Sequence, residues 1–356
     1  MNYPSLLVTG GAGFVGSNLA IKYKQRHPES RVSAFDNLRR RGSELNIPRL
    51  RQAGVEFIHG DIRNQEDLPE FEIDLILECS AEPSVLAGYS GSQSYLLNTN
   101  LVGTLNCLEL ARKQRADFVF LSTSRVYPIQ ALSSLHYTEA ETRFILTDEQ
   151  PHPGASALGI AEDFPLQGSR SLYGATKLAS ELFVEEYGAA FDLRTVINRC
   201  GVITGPWQMG KVDQGVFALW VANHYFKGEL SYIGYGGTGK QVRDFLHIDD
   251  LFELIDIQMQ ELDRFDSQVF NVGAGLERSL SLLETTSLCE DITGHRIKIH
   301  RRPETRMADV PLYITDHRKV TSLCGWKPSR DAKQTLTDIY EWISGNEALV
   351  HATLMP

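Results

Sequence analysis

The chain has 356 residues and a formal net charge of −10, which argues against a nucleic acid or an anionic membrane surface as its main partner. Hydrophobic residues make up 42% and charged residues 22%, values typical of a globular protein with a sizeable core. No apolar run approaches membrane-spanning length, and the five cysteines are scattered and odd in number, so we expect a cytoplasmic protein with reduced thiols. Histidines and cysteines form no spaced cluster, so no metal site is predicted.

The first predicted elements are a strand, a glycine turn and a helix. Ser5-Leu6-Leu7-Val8 is a short apolar run, the stretch from Thr9 to Gly16 is rich in glycine, and a helical pattern starts at Ser17. Such a turn lets the backbone approach a pyrophosphate, and the helix N-terminus supplies N–H groups and a positive dipole end. The pattern predicts a dinucleotide site with these cofactor-binding residues: Gly10, Gly13, Phe14, Val15 and Gly16.

A second predicted strand, from Val32 to Phe35, ends at Asp36, twenty residues after Gly16. An acid at this position binds a ribose 2′-hydroxyl and repels a 2′-phosphate, which favours NAD over NADP. Three arginines nearby keep NADP open as an alternative, because arginine can hold a 2′-phosphate, although a solvated loop explains them as well: Arg39, Arg40 and Arg41.

Strands and helices continue to alternate as far as residue 121. Apolar runs at 55–58, 74–79 and 118–121 predict buried strands, and a helical pattern runs from Asn100 to about Arg115. This alternation predicts an α/β fold with a Rossmann-type, doubly wound parallel sheet, in which ligands bind beyond the carboxyl ends of the strands. Several polar residues fall at such ends: Asp36, Asp61, Ser80 and Ser122-Thr123-Ser124.

The regular pattern fades after Tyr127. The stretch as far as Ser171 is typical of a long surface loop beside an active site, residues 193–197 predict one more strand, and the alternation stops after Trp207. We therefore predict an NAD-binding domain over residues 1–200, to which segments of about 240–273 return. Residues 201–239 and 274–356 would form a smaller, interleaved C-terminal domain that binds the substrate.

Tyr173 and Lys177 are four residues apart and would share one face of a helix. A phenol is a poor base at neutral pH, because its reference pKa is about 10, but a nearby cation lowers that pKa. Such a pair can take a proton from an alcohol while a bound dinucleotide takes the hydride. The spacing is common in helices, so the prediction depends on the dinucleotide fingerprint that precedes it.

With these residues in view, the chain resembles an extended short-chain dehydrogenase/reductase that acts on a nucleotide-sugar. The resemblance runs from Thr9 to about Pro328 and rests on the following motifs: the glycine turn, Asp36-Asn37-Leu38, Gly60-Asp61-Ile62, Asn100 with Gly103-Thr104, Ser122 to Tyr127, Tyr173 to Lys177, Gln241 to Asp244, His247 to Asp250, and Arg306 with Asp309 and Asp316. Within this family, residues 36–46, 141–143, 213–215 and 239–244 resemble the subfamily of CDP-tyvelose epimerases, also called CDP-paratose 2-epimerases.

The resemblance implies an NAD-dependent epimerase in which Thr123, Tyr173 and Lys177 form the catalytic set. Thr123 would hydrogen-bond the reacting hydroxyl, Tyr173 would move its proton, and Lys177 would bind the nicotinamide ribose. The hydride would pass to tightly bound NAD and return to the other face of the keto-sugar. It also implies further cofactor-binding residues: Asn37, Asp61, Ile62, Ser80, Ala81, Asn100 and Ser122. The implied substrate-binding residues are Thr123, Ser124, Arg125, Gln214, Arg243, Arg306 and Asp309.

Several alternatives remain open at this point. The substrate would be a nucleotide-diphosphate sugar, with CDP favoured, but a UDP-sugar 4-epimerase or a net oxidoreductase of the same family is an alternative, and a non-catalytic member is a third possibility. The dehydratases of the family carry an Asp-Glu pair where this chain has Ser124-Arg125, which argues against dehydration. For Arg243 and Arg306 a surface salt bridge is the alternative to phosphate binding, and for Asp309 a solvated loop.

The resemblance also implies a homo-oligomer, a dimer or a tetramer, formed through the helices that begin near Asn100 and Tyr173. The outward faces of these helices would carry apolar residues, although packing against the sheet explains the same residues equally well: Cys107, Leu110, Leu178, Leu182 and Phe183.

Overall fold

The computed structural model of the chain describes residues 3–90, 92–209 and 215–354. One predicted substrate ligand, Gln214, lies outside the described residues. The chain divides into two compact units. Unit 1 comprises the residues up to Val126, Leu172–Arg199 and Phe252–Phe270, and unit 2 comprises Tyr127–Ser171, Cys200–Leu251 and the residues from Asn271 onward.

The described residues form 17 strands: β1 (Ser5–Thr9), β2 (Arg31–Asp36), β3 (Glu56–His59), β4 (Leu75–Glu78), β5 (Asp117–Thr123), β6 (Tyr137–Glu139), β7 (Phe144–Leu146), β8 (Ala155–Ser156), β9 (Gly159–Ile160), β10 (Thr195–Cys200), β11 (Val202–Thr204), β12 (Glu229–Ile233), β13 (Val242–His247), β14 (Gln268–Val272), β15 (Ser279–Ser281), β16 (Lys298–Arg302) and β17 (Leu312–Tyr313).

They also form 14 α-helices: α1 (Phe14–Arg26), α2 (Ile47–Gln52), α3 (Ala87–Ser90), α4 (Gln93–Leu97), α5 (Gly103–Gln114), α6 (Ile129–Ser133), α7 (Leu172–Phe191), α8 (Val216–Tyr225), α9 (Ile248–Gln260), α10 (Leu262–Phe265), α11 (Leu282–Thr293), α12 (Arg318–Cys324), α13 (Ala332–Gly345) and α14 (Glu347–Leu354). Among the described residues, no helix is both long enough and apolar enough to cross a membrane.

Unit 1 is built on a seven-stranded sheet with the strand order β14-β10-β5-β4-β1-β2-β3. The pairings that join β3, β2, β1, β4 and β5 are all parallel. The chain moves outward from β1 to β3 and then crosses to β4 on the other side of β1. Ligands bind at such a reversal in doubly wound sheets. The predicted Rossmann-type fold is therefore confirmed.

The strands of this sheet are continuous apolar runs because both faces are covered. β1 and β4 are buried along their whole length, as parallel strands usually are. Their side chains meet those of α5 and α7 in one hydrophobic core, which includes Leu7, Phe35, Ile76, Cys107, Leu108, Leu110, Phe118, Phe120, Val184 and Ile197. Cys107 and Leu110 therefore belong to the core, so packing against the sheet explains them. Leu182 and Phe183 are exposed, at 60% and 41%.

The helix that the sequence predicts from Asn100 to about Arg115 has a different beginning. Asn98–Val102 form a π-helical turn, and the regular helix α5 starts only at Gly103. A Cβ on Gly103 would lie 2.4 Å from Cδ1 of Ile62, so a side chain here would require Ile62, in the loop after β3, to move. Turns of this kind are frequent at functional sites.

In unit 2 the strand β13 is the centre of the largest sheet. It pairs with β11 and β17 in parallel and with β15 antiparallel. β12 and β16 form a separate parallel pair, whereas β6 with β7 and β8 with β9 form antiparallel hairpins.

The segment from Tyr127 to Ser171 is not the surface loop that its fading periodicity suggests. It contains α6 and two hairpins, and it buries Tyr127, Ile160 and Phe164 almost completely. Its backbone bonds to unit 2, because Phe144 donates to the carbonyl of Lys240 and Ile160 accepts from Asp316. The segment therefore belongs to unit 2, although it lies inside the predicted range 1–200, whereas the break between Arg199 and Cys200 falls at the predicted boundary. The division by contacts also assigns residues 240–251 to unit 2 and only Phe252–Phe270 to unit 1.

Candidate active site

The glycine turn between β1 and α1 brings two stretches of backbone very close together. Gly10 has a φ of +62°, a conformation that favours glycine, and a Cβ on Gly16 would lie 2.3 Å from the carbonyl oxygen of Gly10. Helix α1 begins with Phe14 and Val15, directly after Gly13. No described side chain caps its N-terminus. The first N–H groups of the helix are therefore available to an anion.

Asp36 ends β2 beside this turn. One of its carboxylate oxygens accepts a hydrogen bond from the amide of Leu38 at 2.7 Å, and the other accepts from the amide of Ala12 at 3.2 Å. Burial raises the pKa of Asp36, and these amide hydrogen bonds oppose the rise. A hydrogen bond therefore holds the predicted ribose-binding carboxylate beside the predicted pyrophosphate-binding turn.

The neighbouring strand end carries Asp61, which binds two other polar side chains. Asn37 donates to its carboxylate at 3.0 Å, and the guanidinium of Arg63 donates twice, the shorter bond being 2.5 Å. Burial alone would raise the pKa of Asp61, but these hydrogen bonds outweigh burial and lower the pKa to about 2. Asp61 is therefore ionised near neutral pH, and the next residue, Ile62, is buried in the core.

The segment after β4 contains Ser80 and Ala81 and is held by Asn100. Asn100 is fully buried, accepts a hydrogen bond from the amide of Glu82 at 2.7 Å, and donates to the hydroxyl of Thr176 at 3.3 Å. Thr176 lies on α7. Asn100 therefore connects the loop after β4 to that helix, and its predicted contact with the cofactor stays a prediction.

Helix α7 carries Tyr173 and Lys177 one turn apart on a buried face, with exposures of 9% and 1%. Nζ of Lys177 lies 3.8 Å from the centre of the Phe120 ring and 3.7 Å from a carboxylate oxygen of Glu78. A buried ammonium acts strongly on neighbouring charge, because the surroundings screen it poorly. The one-turn spacing on α7 is the spacing at which a lysine can stabilise a tyrosinate.

Thr123 is the last residue of β5 and is 8% exposed. Its hydroxyl oxygen accepts a hydrogen bond from the amide of Arg125 at 3.2 Å, so its proton can be donated elsewhere. Ser124 and Arg125 begin a short 3-10 turn and are only half-buried. Sequence reasoning predicted all three as substrate-binding residues, and they share one strand end.

A buried ion pair behind this strand end was missed by the sequence analysis. Glu181 accepts a hydrogen bond from the hydroxyl of Ser122 at 2.5 Å and binds the guanidinium of Arg199 at 2.7 Å. Glu181 lies one turn after Lys177 on α7, and Arg199 lies on β10. The sequence contained one signal for this residue, because Glu181 follows Lys177 by four residues and so lies on the same face of the helix. The hydroxyl of Ser122 is thus directed to Glu181.

In unit 2, three of the predicted substrate ligands lie together. Arg243 on β13 donates to the carboxylate of Asp309 at 2.8 Å and to the carbonyl of Val310 at 2.7 Å. The amide of Asp309 in turn donates to the carbonyl of Arg306. The side chain of Arg243 is only 15% exposed, so this pair is mostly buried rather than a surface salt bridge. A phosphate bound by Arg243 would share the guanidinium with Asp309.

The residues of unit 1 fit a dinucleotide. Gly10, Gly11 and Gly16 have no room for a side chain. The uncapped start of α1 offers amide donors, and the Asp36 carboxylate lies beside the turn. The described residues contain no group of His, Cys, Asp and Glu side chains that could hold a metal ion. Together with the buried Tyr173–Lys177 pair, these residues can bind a dinucleotide and transfer a proton at an alcohol.

Comparison with known proteins identifies the family of the chain. The CDP-paratose 2-epimerase of Salmonella typhi is 32% identical over 354 residues, which cover 95% of this chain and 99% of the relative. The fold is shared with an epimerase from Methanothermobacter thermautotrophicus (TM-score 0.79, 20% identity, 98% of this chain and 95% of the other). It is also shared with the NAD complex of UDP-glucose 4-epimerase from Thermus thermophilus (TM-score 0.76, 24% identity, 96% and 99%). Because residues 6–273 match the NAD-dependent epimerase/dehydratase family, the chain belongs to that family of NAD-dependent enzymes.

Proposed function

We propose that the protein is a nucleotide-sugar epimerase that inverts carbon 2 of a CDP-linked deoxyhexose, interconverting CDP-paratose and CDP-tyvelose. The observation that carries this proposal is the buried Tyr173–Lys177 pair on α7, with the hydroxyl of Thr123 at the end of β5. The choice of carbon 2 and of CDP rests on the 32% identity to the Salmonella typhi enzyme over 95% of this chain.

The proposed cofactor-binding residues follow the strand ends. The amides at the start of α1 bind the pyrophosphate, and Asp36 accepts hydrogen bonds from the ribose hydroxyls and repels a 2′-phosphate. Of the three arginines that kept NADP open, Arg39 lies over the ring of Tyr95, 4.2 Å from its centre. We therefore infer that tightly bound NAD is used, and when bound it supplies the hydride acceptor and donor for the sugar carbon.

The proton is handled by the chain itself. Tyr173 takes the proton from the sugar hydroxyl and later returns it, so the same group serves both halves of the reaction. The ammonium of Lys177 stabilises the phenolate that this transfer needs. Thr123 donates to the sugar oxygen, because its own oxygen already accepts from the amide of Arg125.

The residues after Thr123 favour epimerisation over dehydration. Elimination of water needs an acid and a base beside the sugar. Ser124 has no accessible ionisation, and Arg125 stays protonated at neutral pH. We therefore propose that both residues bind the sugar without exchanging protons with it.

We assign the binding of the nucleotide and its diphosphate to unit 2. Arg243 and Arg306 supply guanidinium groups, which bind phosphate oxygens with two parallel hydrogen bonds, and Asp309 is a candidate ligand of the nucleotide ribose. Gln214 is a further candidate. The predicted division of labour, with NAD on the Rossmann domain and nucleotide-sugar on the smaller domain, is retained as part of this proposal.

We further propose that the protein is a cytoplasmic homo-oligomer that pairs through unit 1. Exposed apolar side chains lie on α7 and on the residues that lead into α5: Leu97 (41%), Val102 (40%), Leu172 (39%), Leu182 (60%) and Phe183 (41%). Homodimer interfaces are commonly formed by apolar side chains on neighbouring helices.

The function is tested by incubating the purified protein with CDP-, UDP-, GDP- and dTDP-sugars without added cofactor. Products are identified by NMR, and the cofactor released on denaturation is identified by mass spectrometry. We expect inversion at carbon 2 of CDP-paratose or CDP-tyvelose and release of NAD. Inversion at carbon 4 of a UDP-sugar would replace the substrate assignment, and a requirement for stoichiometric added NAD would replace the epimerase by a dehydrogenase.

A further inference from the structure

Glu78, the last residue of β4, is a buried carboxylate that the proposed reaction does not use. Its side chain is 0% exposed, and neither carboxylate oxygen makes a hydrogen bond of normal geometry with the described residues, although the amide of Ser80 and the ammonium of Lys177 act on it and lower its pKa. Removing an ionised carboxylate from water is costly unless another charge compensates it. An apolar residue at the end of this strand would cost less free energy of folding. An acid that is kept here at such a cost is a candidate for a function.

The charge that faces Glu78 is the ammonium of Lys177, at 3.7 Å, and both side chains are almost inaccessible to solvent. The neighbouring strands β1 and β5 place Thr9 and Phe120 beside Glu78, and neither of these residues titrates. Helix α5 contributes the thiol of Cys107, whose pKa is raised by burial and then by the charge of Glu78, so the thiol stays neutral. Glu78 therefore acts chiefly on Lys177.

We propose that Glu78 is a positioning residue that sets, through Lys177, the charge acting on the phenol of Tyr173. This inference rests on the proposed function, in which Tyr173 exchanges the proton of the sugar hydroxyl. When Glu78 is ionised, it and Lys177 have no net charge, and together they stabilise a phenolate weakly. When Glu78 is protonated, it no longer offsets the charge of Lys177, which then stabilises the phenolate more strongly.

Glu78 changes between its protonated and ionised states near neutral pH. Burial raises the pKa of Glu78 to about 7, and the ammonium of Lys177 opposes the rise. Glu78 exchanges its proton with solvent as the pH changes, so no proton is gained or lost in the sugar reaction. Above this pH the ionised carboxylate keeps Tyr173 protonated to a higher pH than Lys177 alone would.

The test uses Glu78→Gln, which preserves the shape of the side chain and removes its ionisation. Tyrosine is labelled with carbon-13 at Cζ, and the signal of Tyr173 is the one that Tyr173→Phe removes. We expect E78Q to lower the pH midpoint of Tyr173 by about one unit, because it removes a negative charge that opposes the ammonium of Lys177 in a poorly screened interior. The acidic limb of kcat/KM should move in the same direction.

Two variants serve as controls. Glu70→Gln removes the same charge from an exposed position and should leave the Tyr173 midpoint unchanged. Glu78→Asp keeps the charge and should restore a midpoint close to that of the unmodified protein. An unchanged midpoint in E78Q would overturn the inference.

If E78Q does not fold, the unmodified protein decides the question. Its Tyr173 signal should then show an inflection near neutral pH as Glu78 titrates, and a flat signal in that range would overturn the inference. Both titrations are recorded without substrate, so they do not depend on the proposed activity. A shifted midpoint in a protein that inverts no sugar would refute the proposed function and leave the coupling of Glu78 to Tyr173 established.

Discussion

Ser122 and Glu181 join the end of β5 to the middle of α7 through a hydrogen bond of 2.5 Å. Arg199 binds the same carboxylate from β10, so two strands and the helix meet at one buried ion pair. Ser122 directly precedes Thr123, and Glu181 follows Lys177 by one turn. The ion pair therefore fixes the helix relative to the strand end, and proton transfer depends on such fixed geometry.

Arg199→Met should destabilise the protein strongly. It leaves the carboxylate of Glu181 buried without its cation, and breaking a buried pair in this way costs about 3–5 kcal/mol of the free energy of unfolding. Urea unfolding measures the loss. The control is Arg264→Gln, whose pair with Glu261 is exposed (50% and 51%) and should contribute less than about 1 kcal/mol. A similar small loss for both variants would show that the buried pair does not hold α7.

Tyr173→Phe should lower kcat by about 10²–10⁴-fold while the protein keeps its bound NAD, because only the group that transfers the proton is removed. The rate of sugar inversion and the cofactor content of the purified variant measure the two effects. Tyr187→Phe is the matched control, since it removes a hydroxyl from the same helix that donates to Glu109 instead. Full activity of Tyr173→Phe would require another proton acceptor.

Asp36→Asn should weaken the preference for NAD over NADP by about tenfold, which corresponds to about 1.4 kcal/mol of lost repulsion toward the 2′-phosphate. Isothermal titration of the cofactor-free protein with each dinucleotide gives the ratio of dissociation constants. Asp291→Asn, which removes an exposed charge on α11, should leave that ratio unchanged. If Asp36→Asn also leaves it unchanged, the selectivity does not depend on this carboxylate.

Glu78 should make the protein less stable as the pH rises through neutrality. Its pKa is about 7 in the folded protein, whereas an unfolded glutamate titrates near pH 4.3. Between these values the folded state holds a proton that the unfolded state has lost, so the stability falls with increasing pH. From about pH 5 to about pH 8, E78Q should therefore gain stability relative to the unmodified protein by on the order of 3 kcal/mol.

Urea unfolding at a series of pH values measures this gain. Glu70→Gln, with its exposed side chain, should show a curve parallel to that of the unmodified protein. A constant difference between E78Q and the unmodified protein would mean that Glu78 titrates normally.

Leu182→Arg should shift the proposed oligomer toward the monomer, because it places a charge among the exposed apolar side chains of α7. Analytical ultracentrifugation measures the mass in solution. Glu186→Gln, an exposed change one turn further along α7, should not alter it. An oligomer unaffected by Leu182→Arg would have to assemble through another surface.

Much of unit 1 could be predicted because its signals are local. A buried parallel strand is a continuous apolar run, and the glycine turn and Asp36 follow directly from the strands that position them. The π-helical turn at Asn98–Val102 could not be predicted, because no local pattern marks it, and Gly103 after it packs against Ile62, which is distant in sequence.

The residues missed by sequence reasoning are those whose role depends on tertiary contacts. Glu78 and Glu181 resemble ordinary acids in the sequence, and only the fold brings them to Lys177 and Arg199. The segment from Tyr127 to Ser171 was taken for a surface loop because its buried residues have no regular spacing. Its hairpins are held by backbone hydrogen bonds to Lys240, Ile314 and Asp316, which lie far along the chain.

In the proposed reaction, one carbon of the sugar loses its hydride and regains the same hydride on its other face. This mechanism is tested most directly with CDP-paratose that carries deuterium at carbon 2, incubated with the protein in ordinary water. We predict CDP-tyvelose that retains the deuterium at carbon 2. Loss of the deuterium to water would contradict the mechanism, because it would mean that the carbon exchanges a proton with solvent instead of returning a hydride held in the site.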